Sequence, residues 1–238
     1  METFLRNCGS VGHIEDVVVD SRARGLELSH KIMSYLAHHA QSMGCYKVIL
    51  DCSAENKGFY EKCGFKEKEI HMVPLYLPWK MDCKLTSSSD ASQEFRVRRL
   101  QIQDKSKGFI ELLQQLSLCD SVSDSEFASR FQELTALGED HVVCVIEDEQ
   151  SHKIVATGSV FVEKKFLRNC GSVGHIEDVV VDSRARGLGL GHKIMSYLAD
   201  HAQSMGCYKV ILDCSAENKG FYEKCGFKHK EIQMVMYF

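Results

Sequence analysis

The spacing of hydrophobic and polar residues changes along the chain, and these changes mark strands in residues 95–238. FRVRRL alternates in polarity, while a short polar turn separates the two apolar runs HVVCVIED and KIVATGSVFVEKKF, which are rich in β-branched residues. Such patterns predict strands, and the short turn predicts a hairpin. HIEDVVVD, YKVILDCS and IQMVMYF predict three further strands.

Helical spacing appears between these strands. KGFIELLQQLS and SDSEFASRFQELTAL have helical periodicity, and Ser123 with Glu126 predicts a capping box for the second of them. GHKIMSYLADHAQSMG predicts a longer helix that stops at Gly206, and NKGFYEKCG predicts a short one. The apolar face of the longer helix consists of Ile194, Leu198, Ala202 and Met205. The predicted order is β-α-α-β-β-β-α-β-α-β, a single α/β domain.

Part of this domain is present twice. Residues 4–73 align without gaps with 166–235, and 65 of 70 positions are identical. The five differences are Glu27 for Gly189, Ser29 for Gly191, His38 for Asp200, Glu67 for His229 and His71 for Gln233. We therefore predict a degenerate partial repeat at 1–73, a linker rich in serine with both prolines at 74–94, and a complete domain at 95–238.

The first copy contains only the last three strands and two helices of the plan. A fragment of this size with an exposed sheet edge is a poor candidate for independent stability. One interpretation is that it packs on the complete domain as an internal pseudo-partner. The other is a recent partial duplication or misjoined gene that left a loosely folded appendage.

Composition narrows the class of protein. The chain has 238 residues, 44% hydrophobic and 26% charged, with a net charge of -4. This is typical of a soluble globular protein, and the net charge gives no electrostatic support for binding nucleic acid, which would require a basic face. No apolar run is long enough to cross a membrane, and the N-terminus lacks the apolar core of a signal peptide.

The eleven cysteines show no metal-ligand spacing, so we expect free thiols and no metal. These features predict a cytoplasmic protein, with peripheral attachment to an endomembrane as an alternative.

The segment VVVDSRARGLGLGHK predicts an anion site. A strand runs into a polar bend and then into glycines that open a helix. The first turn of a helix has unpaired N–H groups and a favourable dipole, and glycine lets a diphosphate approach the backbone. Neither a P-loop nor a dinucleotide fingerprint is present. A glycine-rich turn without a ligand remains the alternative.

Three segments carry a resemblance to a known family: GHIEDVVVDSRARGLGLG, GCYKVILDCSAENKGFYEKCGF and FLRNCG. They resemble the GNAT acetyltransferase superfamily and, within it, the glucosamine-6-phosphate N-acetyltransferases, the plant forms most closely. The resemblance implies a GNAT acyl-CoA N-acyltransferase fold, with a mixed, mostly antiparallel sheet flanked by helices. It also implies acetyl transfer from acetyl-CoA to the 2-amino group of D-glucosamine 6-phosphate, in UDP-N-acetylglucosamine biosynthesis. The resemblance further implies direct attack of the amine in a ternary complex, and a homodimer or, in this chain, an internal pseudo-dimer.

The resemblance also implies roles for individual residues. Those expected to bind the coenzyme are Val179, Val180, Val181, Arg186, Gly187, Leu188, Gly189, Leu190, Gly191, Asn218 and Tyr222. The catalytic candidates are Tyr222, Asp213, Glu177 and Asp178, with Tyr222 beside the coenzyme sulfur and Asp213 near the attacking amine. The sugar phosphate is expected at Ser117, Lys165, Phe166, Leu167, Arg168, Glu177, Asp178 and Asp213.

The chain departs from the family pattern at several positions. Glu27 and Ser29 replace the two glycines in the first copy, which we therefore predict to be catalytically dead. Asp120 adds negative charge in the sugar-phosphate region, and Met236 stands where the family commonly has a basic residue. A GNAT enzyme with another amine acceptor, or a catalytically impaired regulatory partner, are the alternative functions.

Overall fold

A computed structural model describes residues 9–23, 26–74, 95–117 and 121–238. These residues form two compact units, one made of the chain up to Met72 with Asp213–Gly220 and His229–Phe238, the other of Val73–Leu212 with Phe221–Lys228. Apart from Pro74, the predicted linker at 74–94 lies outside the described residues.

The second unit contains most of the complete copy. Its elements and those it shares with the first unit are β4 (Val97–Arg99), a 3-10 turn (Ile102–Lys107), α3 (Phe109–Leu113), α4 (Asp124–Ala136), β5 (His141–Asp148), β6 (Lys153–Lys164), the one-turn α5 (Leu167–Cys170), β7 (Ser172–Val181), a 3-10 turn (Ser183–Ala185), α6 (Leu190–Ser204), β8 (Cys207–Cys214), α7 (Lys219–Lys224) and β9 (Phe227–Tyr237). The strand order in this unit is β8-β7-β6-β5-β4, with β7 and β8 parallel and the other printed pairs antiparallel. The predicted element order and the mixed, mostly antiparallel sheet are confirmed.

The capping box and the helical spacing in the sequence correctly predicted features of α4 and α6. Ser123 Oγ accepts a hydrogen bond from Glu126 N at 3.2 Å, and Ser123 N donates to Glu126 Oε2 at 2.8 Å, which confirms the capping box. On α6 the predicted face is buried at Ile194, Leu198 and Ala202. The helix at 107–117 is shorter than predicted, because Gly108 (φ 89°) separates it from the preceding 3-10 turn and α3 ends at Leu113.

The first unit contains β1 (Ser10–His13), α1 (Leu28–Ser42), β2 (Cys45–Cys52), α2 (Lys57–Lys62) and most of β3 (Lys66–Pro74). These are the three strands and two helices predicted for the first copy. The strand order in this unit is β1-β2-β9-β3. The second strand therefore pairs with the last strand of the chain, antiparallel from Lys47↔Tyr237 to Cys52↔Ile232.

The core of the first unit combines residues of both copies. Met33, Val48, Leu50 and Phe65 of the first copy pack with Met234 of β9, and all five are almost completely buried. Removing apolar surface from water is the dominant stabilising contribution to such a core. β2 thus has a strand on each side, β1 and β9, while β1 lies at the end of the strand order.

No helix in the described part of the chain is long and apolar enough to span a membrane. The eight described cysteines are free thiols, as the sequence predicted.

Candidate active site

The glycine turn between β7 and α6 is anchored by Asp182. Its carboxylate accepts hydrogen bonds from Arg184 N at 2.8 Å and from Arg184 Nη2 at 2.9 Å, and Gln115 Nε2 donates to it at 3.3 Å. The hydrogen bonds from Arg184 lower the pKa of this carboxyl to about 2. Gln115 also accepts from Ser183 N at 2.9 Å. The strand end is therefore rigidly connected to the turn that follows.

Beyond this anchor the backbone follows the course expected of an anion-binding turn. Arg186 is exposed, Gly187 has a φ of 86°, and Gly189 (φ 73°, ψ 7°) stands at the N-cap of α6. The left-handed conformation costs a residue with a Cβ roughly 1–2 kcal/mol, which favours glycine at the N-cap. Leu188 is exposed and Leu190 is buried. The unpaired N–H groups of the first turn of α6 lie directly after this glycine.

At position 191 glycine is favoured for a different reason, which is the close packing of a neighbouring side chain. A Cβ at this position would lie 2.9 Å from Cζ of Phe221 and 3.1 Å from its Cε2. The ring of Phe221 in turn makes an edge contact with His192, with centroids 5.2 Å apart. Gly191 thus allows α6 to pack closely on α7, in addition to any contact with a ligand.

The equivalent turn of the first copy is built differently. Glu27 occupies the N-cap of α1 with a φ of 56°, and Ser29 stands where Gly191 allows close packing. The glutamate therefore holds the left-handed conformation that glycine adopts more easily.

The predicted acidic pair lies at an irregularity of β7. The register with β6 runs from Ser159↔Glu177 to Thr157↔Val180, so Asp178 and Val179 together face Gly158. This is a β-bulge, and Asp178 takes a φ of 53°. Glu177 is half-buried and Asp178 is exposed. The alternation of side chains that a regular strand would have is interrupted at this point.

The valines that follow are Val179, Val180 and Val181, of which Val180 is the buried one. Because a bulge leaves a backbone group outside the ladder, the strand can offer hydrogen bonds here that a regular strand cannot.

Tyr222 lies on α7 and is buried, with 8% of its surface exposed. Its ring makes edge contacts with Phe221 (centroids 5.0 Å apart) and with Phe227 (6.4 Å). The buried ring is compatible with a role as a core aromatic residue. It is also compatible with a catalytic role, because the hydroxyl of a buried tyrosine usually forms a hydrogen bond and a substrate could provide the partner.

Asp213 and Asn218 belong to the first unit. Asn218 is exposed just before α7. Asp213 Oδ2 accepts a hydrogen bond from Gln233 Nε2 at 2.6 Å, and its Oδ1 lies 3.2 Å from Nδ1 of His71. The same His71 nitrogen lies 2.8 Å from Asp51 Oδ2.

Asp51, His71 and Asp213 offer ligand atoms within 4.8 Å of one another, a spacing compatible with a cation. Burial opposes a charge on His71, but the hydrogen bonds to Asp213 and Asp51 raise its pKa to about 9 and so favour a proton on the ring between the two carboxylates.

The segment predicted for the sugar phosphate contains one buried and three exposed side chains. Lys165 is buried, and its Nζ lies 3.0 Å from Oε1 of Glu163. Phe166 is 97% exposed, Leu167 is 56% exposed, and Arg168 is exposed with a φ of 55°.

Ser117 is exposed, while Cys119 and Asp120 lie outside the described residues. Met236 packs against the core of the first unit, which accounts for an apolar residue at this position.

Comparison with known proteins identifies the family. The sequence model of the Acetyltransferase (GNAT) family matches residues 3–65 and 109–227. The chain belongs to the GNAT acetyltransferases. Both copies of the repeat contribute to this match, and the predicted GNAT fold is confirmed.

Comparison with individual relatives is more specific than the match to the family. Glucosamine 6-phosphate N-acetyltransferase of Arabidopsis thaliana is 65% identical over 147 residues, which cover 62% of this chain and 99% of that protein. Glucosamine 6-phosphate N-acetyltransferase 1 of Oryza sativa subsp. japonica is 51% identical over 146 residues, or 61% of this chain and 88% of that protein. The crystal structure of the Arabidopsis enzyme superposes with a TM-score of 0.60 at 66% identity, covering 61% of this GNAT chain and 99% of that one.

The sequence did not single out the residues around Asp213. His71 and Gln233 occupy equivalent positions of the two copies, and both are buried, at 1% and 5% exposure. The sequence did contain a sign of their importance, because position 71/233 is one of the five at which the two copies differ. Asp51 is the first-copy equivalent of Asp213, and the two copies do not differ at this position.

Proposed function

We propose that this GNAT chain transfers the acetyl group of acetyl-CoA to the 2-amino group of D-glucosamine 6-phosphate, giving N-acetyl-D-glucosamine 6-phosphate and free coenzyme A. The observation that carries the proposal is the 65% identity with the Arabidopsis glucosamine 6-phosphate N-acetyltransferase, of which 99% is covered. The product would supply UDP-N-acetylglucosamine biosynthesis, and the site of action would be the cytoplasm.

The coenzyme would bind at the glycine turn. In this proposal the diphosphate accepts hydrogen bonds from the first turn of α6, over Arg186–Gly191, where glycine at the N-cap keeps the backbone accessible. Val179–Val181 would provide backbone groups to the acetyl and pantetheine arm, which the bulge at Asp178 supports. Asn218 would contact the coenzyme.

The reaction requires a neutral amine close to the thioester carbon. The nitrogen lone pair forms the C–N bond, the C–S bond breaks, and the amine loses a proton while the thiolate gains one. Holding both substrates in place supplies several kcal/mol, about 7–11 in well-oriented model reactions. Tyr222 would donate a hydrogen bond to the departing sulfur, since a phenol remains protonated at neutral pH. Asp213 would orient the amine or accept its proton, and Glu177 and Asp178 would contact the sugar.

The sugar phosphate is proposed to bind at Ser117 and Lys165–Arg168. Arg168 is exposed and can form charged hydrogen bonds to phosphate, with the flanking Phe166 and Leu167 lining the same segment. Lys165 is already paired with Glu163, so phosphate would have to compete with that carboxylate.

One observation favours a second candidate function. Because Lys165 is paired and Met236 is packed in an apolar core, fewer cations are available for a phosphate than the family pattern suggests. A different amine acceptor, or a regulatory partner that binds acetyl-CoA without turnover, would fit this loss.

We also propose that the first copy serves as an internal partner in place of a second subunit. Two facts support this pseudo-dimer: β9 pairs with β2, and Met234 of β9 fills the core of the first unit.

The test is a thiol-release assay with acetyl-CoA and either glucosamine 6-phosphate or glucosamine. We expect turnover that depends on the phosphate. Tyr222→Phe should lower kcat by about 100-fold, the lower limit for loss of a general acid. Tyr60→Phe, at the equivalent position of the first copy, is the matched control and should leave kcat unchanged.

Equal rates with glucosamine would point to another acceptor. Acetyl-CoA binding without turnover would point to the regulatory partner.

A further inference from the structure

The carboxylate proposed to handle the amine, Asp213, is held by side chains from both copies of the repeat. Gln233 belongs to the complete copy and donates to Oδ2 at 2.6 Å. His71 belongs to the incomplete first copy and reaches Oδ1 at 3.2 Å. Both carboxylate oxygens therefore have partners, and one of these partners is a residue that the complete copy by itself does not have.

His71 is well placed to carry a proton. Its side chain is only 1% exposed, and Nδ1 faces Asp51 Oδ2 at 2.8 Å as well as Asp213. Burial by itself would lower the pKa of His71, but the hydrogen bonds to Asp213 and Asp51 and their negative charge raise it to about 9. At neutral pH the ring is then an imidazolium between two carboxylates.

The charged groups around the cluster are mainly acidic. Burial raises the pKa of Asp51, and the charges of Asp213 and Glu15 act in the same direction. The pKa of Glu69 on β3 is raised by burial and by the charge of Asp213. Asp51 Oδ1 is buried and has no hydrogen-bond partner in the described part of the chain. Without a cation at position 71, the negative charges of Asp51 and Asp213 would repel each other.

We propose that His71, supplied by the incomplete first copy, is a positioning residue that holds Asp213 in a fixed orientation for the attacking amine. The proposal rests on the proposed acetyl transfer. It assigns the first copy a specific part in the chemistry, although its own glycine turn carries Glu27 and Ser29. It also explains why one copy has histidine where the other has glutamine: two glutamines would leave two carboxylates without a counter-charge.

The substitution His71→Gln tests this with a residue that the fold already accepts at the equivalent position 233. We expect kcat with glucosamine 6-phosphate to fall about tenfold, the value of a hydrogen bond to a charged group. The KM for acetyl-CoA should remain unchanged. In the wild-type chain kcat should also decline above pH 9, as His71 loses its proton, and this alkaline decline should be absent in His71→Gln.

Asp51→Asn is the matched control, because it removes one of the two carboxylates on His71 and leaves the contact with Asp213. It should shift the alkaline decline to lower pH and retain most of the activity at pH 7. A kcat and a pH profile of His71→Gln identical to those of the wild-type chain would overturn the proposal. So would a loss of wild-type activity in EDTA that zinc restores, since the three side chains would then bind a metal.

A second readout does not depend on turnover. The NMR signals of His71 in labelled wild-type protein should titrate near pH 9, and Asp213→Asn should lower that midpoint. A ring that titrates near its ordinary pKa of ~6.5 would contradict the proposal even if the enzyme is active. If the chain does not acetylate glucosamine 6-phosphate but His71 titrates as expected, the proposed function fails and the geometry of the cluster stands.

Discussion

Replacing Gly189 with glutamate would give the complete copy the residue that the first copy carries at the same place. Gly189 has a φ of 73° at the N-cap of α6, and Glu27 has a φ of 56° at the N-cap of α1. The fold of the first unit therefore shows that glutamate can occupy this conformation. We expect Gly189→Glu to fold and to lose roughly 1–2 kcal/mol of stability from the left-handed backbone.

The Gly189→Glu substitution is expected to have its larger effect on the affinity for the coenzyme. A diphosphate at the first turn of α6 would face the new carboxylate, and two unit charges 4 Å apart repel by about 1 kcal/mol in bulk water and about 4 kcal/mol at an effective dielectric of about 20. These energies correspond to about fivefold and about a thousandfold weaker binding. Glu27 is exposed, which places the expected loss of affinity nearer the lower figure.

The assay is isothermal titration of acetyl-CoA into the wild-type chain, Gly189→Glu and Gly189→Gln, at low and high salt. Glutamine has the same length and the same backbone cost as glutamate but no charge, so the difference between the variants measures the charge. Salt screens that difference, and it should shrink at high ionic strength. Equal affinities of the two variants would refute the electrostatic reasoning. Wild-type affinity in both would show that the diphosphate binds elsewhere.

Two further predictions concern the scaffold of the second unit. Asp104 is completely buried and binds Arg98 at 2.7 and 2.8 Å, so Asp104→Ala should lower the free energy of unfolding in urea by about 3–5 kcal/mol, the usual cost of breaking a buried pair. Unchanged stability would show that Glu147, the other partner of Arg98, compensates. Because the pKa of Asp182 is lowered to about 2, its contribution to stability is complete above about pH 3.8 and lost as the pH falls toward 2. The stability difference between the wild-type chain and Asp182→Asn should therefore disappear between pH 4 and pH 2, and a constant difference would contradict this.

Local features of this fold could be predicted from sequence because their causes are local. The capping box of α4 needs only Ser123 and Glu126, and the buried face of α6 follows from helical spacing. The pairing of Lys165 with Glu163 could have been anticipated as well, since residues two apart on an extended segment share a face.

The partner of β2 could not be predicted in the same way. In their aligned part, β3 and β9 differ at Glu67/His229 and His71/Gln233, so the pattern of apolar residues fits either strand equally well beside β2. Register and partner are chosen by packing over long range, which a repeat makes ambiguous. The cluster of Asp51, His71, Gln233 and Asp213 depends on that choice and was missed for the same reason.

The pairing of β2 with β9 also determines when the sheet of the first unit can be completed. Lys47 and Tyr237 are roughly 190 residues apart, so closing this contact carries the entropy of a very long loop. During synthesis the N-terminal segment is made before β9, and the 11 residues of β9 that complete its sheet follow only after strands β3 to β8. Until β9 has been made, β2 has β1 on one side but an open edge on the other, and an open strand edge is prone to aggregation. A ribosome stalled before the codons of β9 would carry an N-terminal segment that has been fully made but still lacks the strand that completes its sheet.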